Sequence, residues 1–258
     1  MTPIESTADH IGFIANRWPL DKDQATIIFL HGSGGASILW QNQVQGLESV
    51  NAIAPDLPGH GRSRGPGRTR VEDYAADISD FQRFLGLSST VICGLSIGGA
   101  IALQLLLDHA DQFVAGILIN TGAKLKVLPR IFEEIERDFP GFLRFLRGFT
   151  ASEKTDPSRI QPMIDCMAAC PPAVTLGDFA ACDRFDVRER LHEIHVPTLV
   201  MTASDDRLTP PKFGTFLAEK IPRSHVVNIA DAGHLSPLEK PVEVTRAIQE
   251  FLDTVPVG

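Results

Sequence analysis

The stretch Val91-Ile-Cys-Gly94-Leu95-Ser96-Ile97-Gly98-Gly99-Ala100 holds the residue pattern most able to do chemistry. An apolar run of strand type leads into Gly-x-Ser-x-Gly and then directly into a helical pattern. A turn of this kind holds its central serine in a strained backbone with the hydroxyl pushed outward. Only glycine neighbours let the strand and the helix approach so closely. The following helix aims the positive end of its dipole at the site, which favours a developing negative charge. Ser96 is therefore read as a nucleophile rather than as a helix N-cap alone.

A serine hydroxyl is a weak nucleophile at neutral pH and needs a positioned base. Of the eight histidines, His234 has the strongest claim. It follows Gly233 in a loop expected after the last strand and before the last helix. Loops beyond the carboxyl ends of parallel strands are where such sheets build their sites. His10 falls in the N-terminal arm, His109 at a helix end, His192 and His195 beside the exit of a helical segment, and His225 at the start of a strand.

The base in turn needs a carboxylate to fix its tautomer and stabilise its cation. The loop after Leu199–Thr202 offers Asp205 and Asp206, which spacing alone does not separate; Asp231, three residues from His234, is a weaker rival. Phe29-Leu30-His31-Gly32-Ser33-Gly34-Gly35 follows the first buried strand. Its glycines would let a backbone N–H face the serine, so Ser33 and Ile97 are assigned as the amide pair of an oxyanion hole. A phosphate loop is the rival reading, but the stretch lacks both the Gly-Lys-Ser/Thr ending and the Gly-x-Gly-x-x-Gly spacing.

These residues need a scaffold, and the periodicity supplies one. Short apolar runs at Thr26–Leu30 and Val50–Ala54 read as strands covered on both faces, and Ser89–Cys93, Val114–Ile119, Pro197–Thr202 and Ser224–Ile229 also read as strands. Ile11–Trp18 reads as an edge strand. Helical spacing marks Val71–Leu85, Ile97–His109, Pro211–Lys220 and Val242–Leu252. Alternation of this kind implies an α/β fold with a mostly parallel central sheet flanked by helices. The rhythm breaks between Gly122 and Leu191, where helical pattern runs over Leu128–Phe149 (interrupted at Pro140-Gly141), Pro157–Met167 and Pro172–Ala181. We expect a core of residues 1–121 and 192–258 with a helical cap inserted at 122–191, and a short tail at Pro256–Gly258.

Composition agrees with this organisation. The chain has 258 residues, 43% hydrophobic and 22% charged, as expected of a soluble globular domain. A net charge of −8 argues against nucleic acid or an anionic membrane as partner. Met1–His10 lacks the basic start and apolar run of a secretory signal, and no apolar stretch is long enough to span a bilayer, so a cytoplasmic location is expected. Cys93, Cys166, Cys170 and Cys182 are read as free thiols serving as apolar filler, not as metal ligands.

Taken together, His31-Gly32-Ser33-Gly34-Gly35, Asp56-Leu-Pro58-Gly59-His60-Gly61-Arg62-Ser63, Gly94-Leu-Ser96-Ile-Gly98-Gly99, Ser204-Asp-Asp206-Arg-Leu-Thr-Pro210 and Gly233-His234 resemble the α/β-hydrolase superfamily, in the same order along nearly all of the chain outside the cap. The resemblance favours Asp206 as the acid and makes His31 and His60 loop-shaping residues. Some members take their acid from the strand after the nucleophile helix, but that end reads Asn120-Thr-Gly122 here. Epoxide hydrolases and haloalkane dehalogenases place an aspartate where this chain has Ser96.

The activity implied is that of a carboxylesterase on small to medium esters, through an acyl-enzyme on Ser96, with no metal or organic cofactor and as a monomer or homodimer. One alternative is a carbon–carbon bond hydrolase of a dienoic diketone acid, for which Arg130, Arg144, Arg147 and Arg184 are candidate carboxylate partners. A non-catalytic ligand receptor on the same fold is the other.

Overall fold

The computed structural model describes residues 2–255, so the tail expected at Pro256–Gly258 lies outside the described residues. An eight-stranded sheet has the order β1-β2-β4-β3-β5-β6-β7-β8. Its strands are β1 (Ile4–Ala8), β2 (Ile11–Ala15), β3 (Thr26–Leu30), β4 (Asn51–Pro55), β5 (Thr90–Leu95), β6 (Phe113–Ile119), β7 (Thr198–Ala203) and β8 (Ser224–Ile229). The first two form an antiparallel hairpin, and β2 pairs antiparallel with β4. All later pairings are parallel.

The helices are α1 (Gln41–Gly46), α2 (Val71–Phe84), α3 (Ile97–Asp108), α4 (Pro129–Arg137), α5 (Phe139–Thr150), α6 (Pro157–Ala169), α7 (Pro172–Arg184), α8 (Pro211–Lys220), α9 (Ser236–Glu239) and α10 (Pro241–Leu252). Side-chain alternation along β3 explains why its run is continuously apolar. Ile27 and Phe29 enter a core with Trp40, Val44 and residues of α5, α6 and α10. Ile28 and Leu30 enter a second core with residues of α2 and α3 on the opposite face. A strand covered on both sides has no polar face to show.

Three elements depart from expectation. The strand expected at the sheet edge over Ile11–Trp18 is β2, which lies between β1 and β4 and is buried along its whole length, because the hairpin adds β1 outside it. The arm at Ile4–Ala8, where no element was expected, is a strand. Its Ile-Glu-Ser-Thr-Ala sequence is mostly exposed at the sheet edge, where polar side chains discourage pairing with another chain. A 3₁₀ turn at Ser37–Trp40 and the short α1 follow the glycine loop, where no helix was expected.

Four helices, α4 to α7, lie between β6 and β7, matching the break in strand rhythm. The interruption in the first of them falls at Asp138 rather than at Pro140-Gly141. Pro140 sits in the first turn of α5, where its missing N–H costs nothing, and Asp138 caps that turn by accepting from the Gly141 amide at 2.9 Å. The insertion is closed at its neck by a bridge between Lys124 and Asp186 and by the Val187 amide donating to the Ala123 carbonyl at 2.8 Å. No described helix is long and apolar enough to cross a membrane.

Candidate active site

Ser96 sits between β5 and α3 with φ 58° and ψ −119°. A non-glycine residue at positive φ costs on the order of 1–3 kcal/mol and persists only when its surroundings hold it. Here the Ser96 amide donates to the Ile119 carbonyl at 3.1 Å. Its carbonyl accepts from the Ala100 amide at 3.1 Å and from Thr121 Oγ1 at 2.7 Å. The flanking glycines are required by crowding. A Cβ at Gly94 would lie 2.0 Å from the Gly98 carbonyl oxygen, and one at Gly98 would lie 2.3 Å from that of Leu30. Ile97 opens α3 and buries its side chain, so its N–H is one of the helix's first amides, which have no partner within the helix.

The two aspartates left unresolved by spacing turn in different directions. Asp206 Oδ2 lies 2.8 Å from His234 Nδ1 and accepts from Thr209 Oγ1 at 2.7 Å. Its Oδ1 accepts the Leu208 and Thr209 amides at 2.8 and 3.0 Å. Burial alone would raise the Asp206 pKa, but the adjacent His234 and these donors outweigh it and hold the carboxyl below its usual range. Asp205 instead accepts from Ser152 Oγ at 2.5 Å and Ser204 Oγ at 2.8 Å. Asp231 pairs with Lys154 at the surface.

The loop carrying His234 is held from two sides. Asn120, at the end of β6 with φ 44°, donates from its amide nitrogen to the His234 carbonyl at 2.9 Å, to Ser236 Oγ at 3.0 Å and to the Gly233 carbonyl at 3.3 Å. The buried Glu239 accepts the Gly233 amide at 2.9 Å, the Ser152 amide at 2.8 Å and Thr155 Oγ1 at 2.6 Å. Neither residue was singled out from sequence for this task. The signal for Asn120 was its place, where related chains can carry an acid.

Ser33, Ser96, Thr209 and His234 all line a cavity of about 350 Å³. Its walls are largely apolar, from Phe142, Leu146, Met163, Met167, Phe179 and Phe213 among others, and Lys126, Arg130 and Arg207 also reach it. Of the four arginines weighed as carboxylate partners only Arg130 lines this cavity, and it lies over the Phe145 ring. Arg144 faces Asp138, and Arg184 donates to the Thr69 carbonyl.

His31 and His60 do not line this cavity. His31 donates from Nδ1 to the Gly32 carbonyl at 2.8 Å and accepts the Leu57 amide on Nε2 at 3.0 Å, so it is neutral. Burial, reinforced by His60, pushes its pKa down to about 4. The four cysteines are free. Burial pushes Cys182 up to about 12 and Cys166 and Cys170 up to about 11, so each is a thiol at neutral pH.

Fold and site together define a class. A mostly parallel sheet presents a strained serine at a strand–helix turn, with an Asp–His pair on the loops of later strands. A profile described as the alpha/beta hydrolase family matches residues 27–247, and the chain belongs to that family. It is 28% identical over 242 residues to 3-oxoadipate enol-lactonase 1 of Acinetobacter baylyi, covering 91% of each chain. Among solved structures it is similar to a thermophilic esterase of Thermogutta terrifontis, at 28% identity with a TM-score of 0.84 over 98% of each chain. The enol-lactonase of Burkholderia xenovorans shares the fold, with a TM-score of 0.88 at 22% identity over 97% of this chain and 100% of that one. These neighbours support a hydrolase activity.

Proposed function

We propose that this protein is a serine carboxylesterase acting on small to medium carboxylic esters, with residues 122–191 as a cap over the site. The observation that carries the reading is the 2.8 Å contact of His234 Nδ1 with Asp206, where His234 and the strained Ser96 both line the same cavity. In the reaction, Ser96 Oγ attacks the ester carbonyl while His234 Nε2 takes its proton. Asp206 keeps Nδ1 protonated and stabilises the imidazolium. The negative charge that forms on the carbonyl oxygen is met by the Ser33 and Ile97 amides, aided by the start of α3. His234 returns the proton to the departing alcohol, and water then releases the acyl group by the same steps in reverse.

The largely apolar walls suit a hydrocarbon acyl group, because they replace water without requiring polar partners. A lactone is an ester whose alcohol stays tethered, so the same steps would open one. The likeness to enol-lactonases supports including lactones among candidate substrates.

The test is labelling with a fluorophosphonate and turnover of a series of p-nitrophenyl esters. Labelling at Ser96, lost together with turnover in Ser96→Ala, is the expected result. Turnover that survives Ser96→Ala overturns the assignment.

A further inference from the structure

A second buried Asp–His pair lies behind the glycine loop, and one of its members comes from the insertion. Asp178 of α7 and His60 have no solvent-exposed side-chain surface. Asp178 Oδ2 lies 2.9 Å from His60 Nε2 and accepts the Gly34 amide at 2.8 Å. Its Oδ1 accepts from Tyr74 Oη at 2.6 Å. Both ring nitrogens of His60 face acceptors, the other being the Pro58 carbonyl at 3.1 Å, so the ring needs two N–H groups and is the cation. Burial opposes that charge, but Asp178 outweighs burial and raises the His60 pKa. A buried ion pair is weak evidence of stability by itself, so its retention calls for another reason.

The reason lies in what Asp178 grips. Gly34 is the residue after Ser33, and its φ is +64°. Because the peptide unit is planar, holding the Gly34 N–H also holds the Ser33 carbonyl, so Asp178 restrains the unit directly after the one that carries the Ser33 N–H. The insertion also presses on the loop directly. A Cβ at Gly34 would lie 3.1 Å from Thr175 Oγ1 of α7, and one at Gly35 would lie 2.3 Å from the Met163 methyl of α6.

We infer that Asp178 is a positioning residue through which the seated cap sets the shape of the Gly32–Gly35 loop, and hence the readiness of the Ser33 amide to meet an oxyanion. His60 supplies the counter-charge that keeps the carboxylate from opposing the negative charge developing nearby. This inference rests on the esterase reading above, and the cap's seat becomes part of the catalytic geometry rather than a cover over it.

The test compares wild type with Asp178→Asn, using p-nitrophenyl butyrate, an alkyl trifluoromethyl ketone whose hemiketal oxygen mimics the oxyanion, and the matching methyl ketone. We expect kcat to fall about 10- to 100-fold, in proportion to a weakened trifluoromethyl ketone, because a misplaced oxyanion donor costs on that scale. Methyl ketone affinity and KM should change less than about twofold, since neither reads transition-state charge. Tyr74→Phe, which removes one hydrogen bond from Asp178 without touching the loop, should lose kcat in the same direction by about 3- to 10-fold. It serves as the deciding variant if Asp178→Asn does not fold.

A folded variant that keeps kcat and trifluoromethyl ketone affinity while losing only thermal stability overturns the inference. If wild type neither hydrolyses esters nor captures the ketone, the esterase reading fails instead. Amide exchange over His31–Gly35 then decides the positioning: faster exchange in the folded variant supports it, and unchanged exchange refutes it.

Discussion

Asp206 and His234, 28 residues apart in sequence, are joined by a 2.8 Å contact between Oδ2 and Nδ1, while Asp205 turns its carboxylate to Ser152 and Ser204. One peptide unit thus separates an aspartate bonded to the candidate base from one bonded to the insertion's linker.

That division gives the first prediction. Asp206→Asn replaces an acceptor that holds Nδ1–H by an amide that can present N–H instead, which favours the wrong tautomer. Loss of kcat on the order of 10³- to 10⁴-fold is expected. Asp205→Asn should change kcat only a few-fold, because its partners are two serine hydroxyls that an amide oxygen can also serve. Steady-state kinetics of the two variants on one ester decides it; a larger loss in Asp205→Asn would move the acid.

Asn120 leads to the second. Three acceptors on the His234 loop converge on its amide group. Asn120→Ala should let that loop shift by a fraction of an ångström to an ångström and lower kcat by about 10- to 100-fold. KM should change little, because the cavity walls are untouched. Fluorophosphonate labelling of Ser96 should slow in parallel. An Asn120→Ala enzyme with full kcat would show that Glu239 alone suffices to hold the loop.

Residues such as Asn120 escape a reading of sequence for a physical reason. The strands, the turn at Ser96 and the helical insertion declare themselves through short-range signals, namely apolar runs, glycine spacing and 3.6-residue periodicity. The polar β1 gives no such signal, because an edge strand needs no apolar run. Asn120, Glu239 and Asp178 bond to loop residues 113, 87 and 144 positions away in sequence. Only the folded chain reveals those pairings, and the choice between Asp205 and Asp206 likewise turns on side-chain direction, not spacing.

His31 carries a pH prediction of definite sign. Burial and the neighbouring His60 cation hold its pKa near about 4, against about 6.5 for a histidine in an unfolded chain. Above pH 6.5 neither state binds the proton and stability is unaffected. Between about 6.5 and 4 the unfolded chain takes up a proton that the folded chain refuses, so stability falls as pH falls, by about 1.4 kcal/mol per pH unit at most.

His60 and Asp206 are shifted too, but their contributions change outside that window. His60 is raised, so its contribution is complete below 6.5 and is lost only as pH rises through its folded pKa. Asp206 is lowered, so its contribution is complete above the ordinary carboxylate range and is lost as pH falls through its folded value. Urea unfolding at pH 7, 6 and 5 should show a shallower decline in His31→Gln than in wild type. Equal slopes would mean that His31 protonates in the folded state.

The last prediction uses one chemical change at two glycines. Gly98→Ala places a methyl 2.3 Å from the Leu30 carbonyl oxygen and 2.7 Å from that of His31, both backbone atoms that cannot rotate aside. The helix must lift from the sheet or the glycine loop must move, and either disturbs the Ser96 turn. A loss of stability of about 2 kcal/mol or more is expected, with loss of ester turnover. Gly148 lies within α5 with nothing within 4 Å of an added Cβ. Gly148→Ala should therefore stabilise by about 0.5–1 kcal/mol, because alanine loses less backbone entropy on entering a helix. The two melting temperatures should move in opposite directions from wild type. A fall at both sites would mean that crowding at the Ser96 turn is not what separates them.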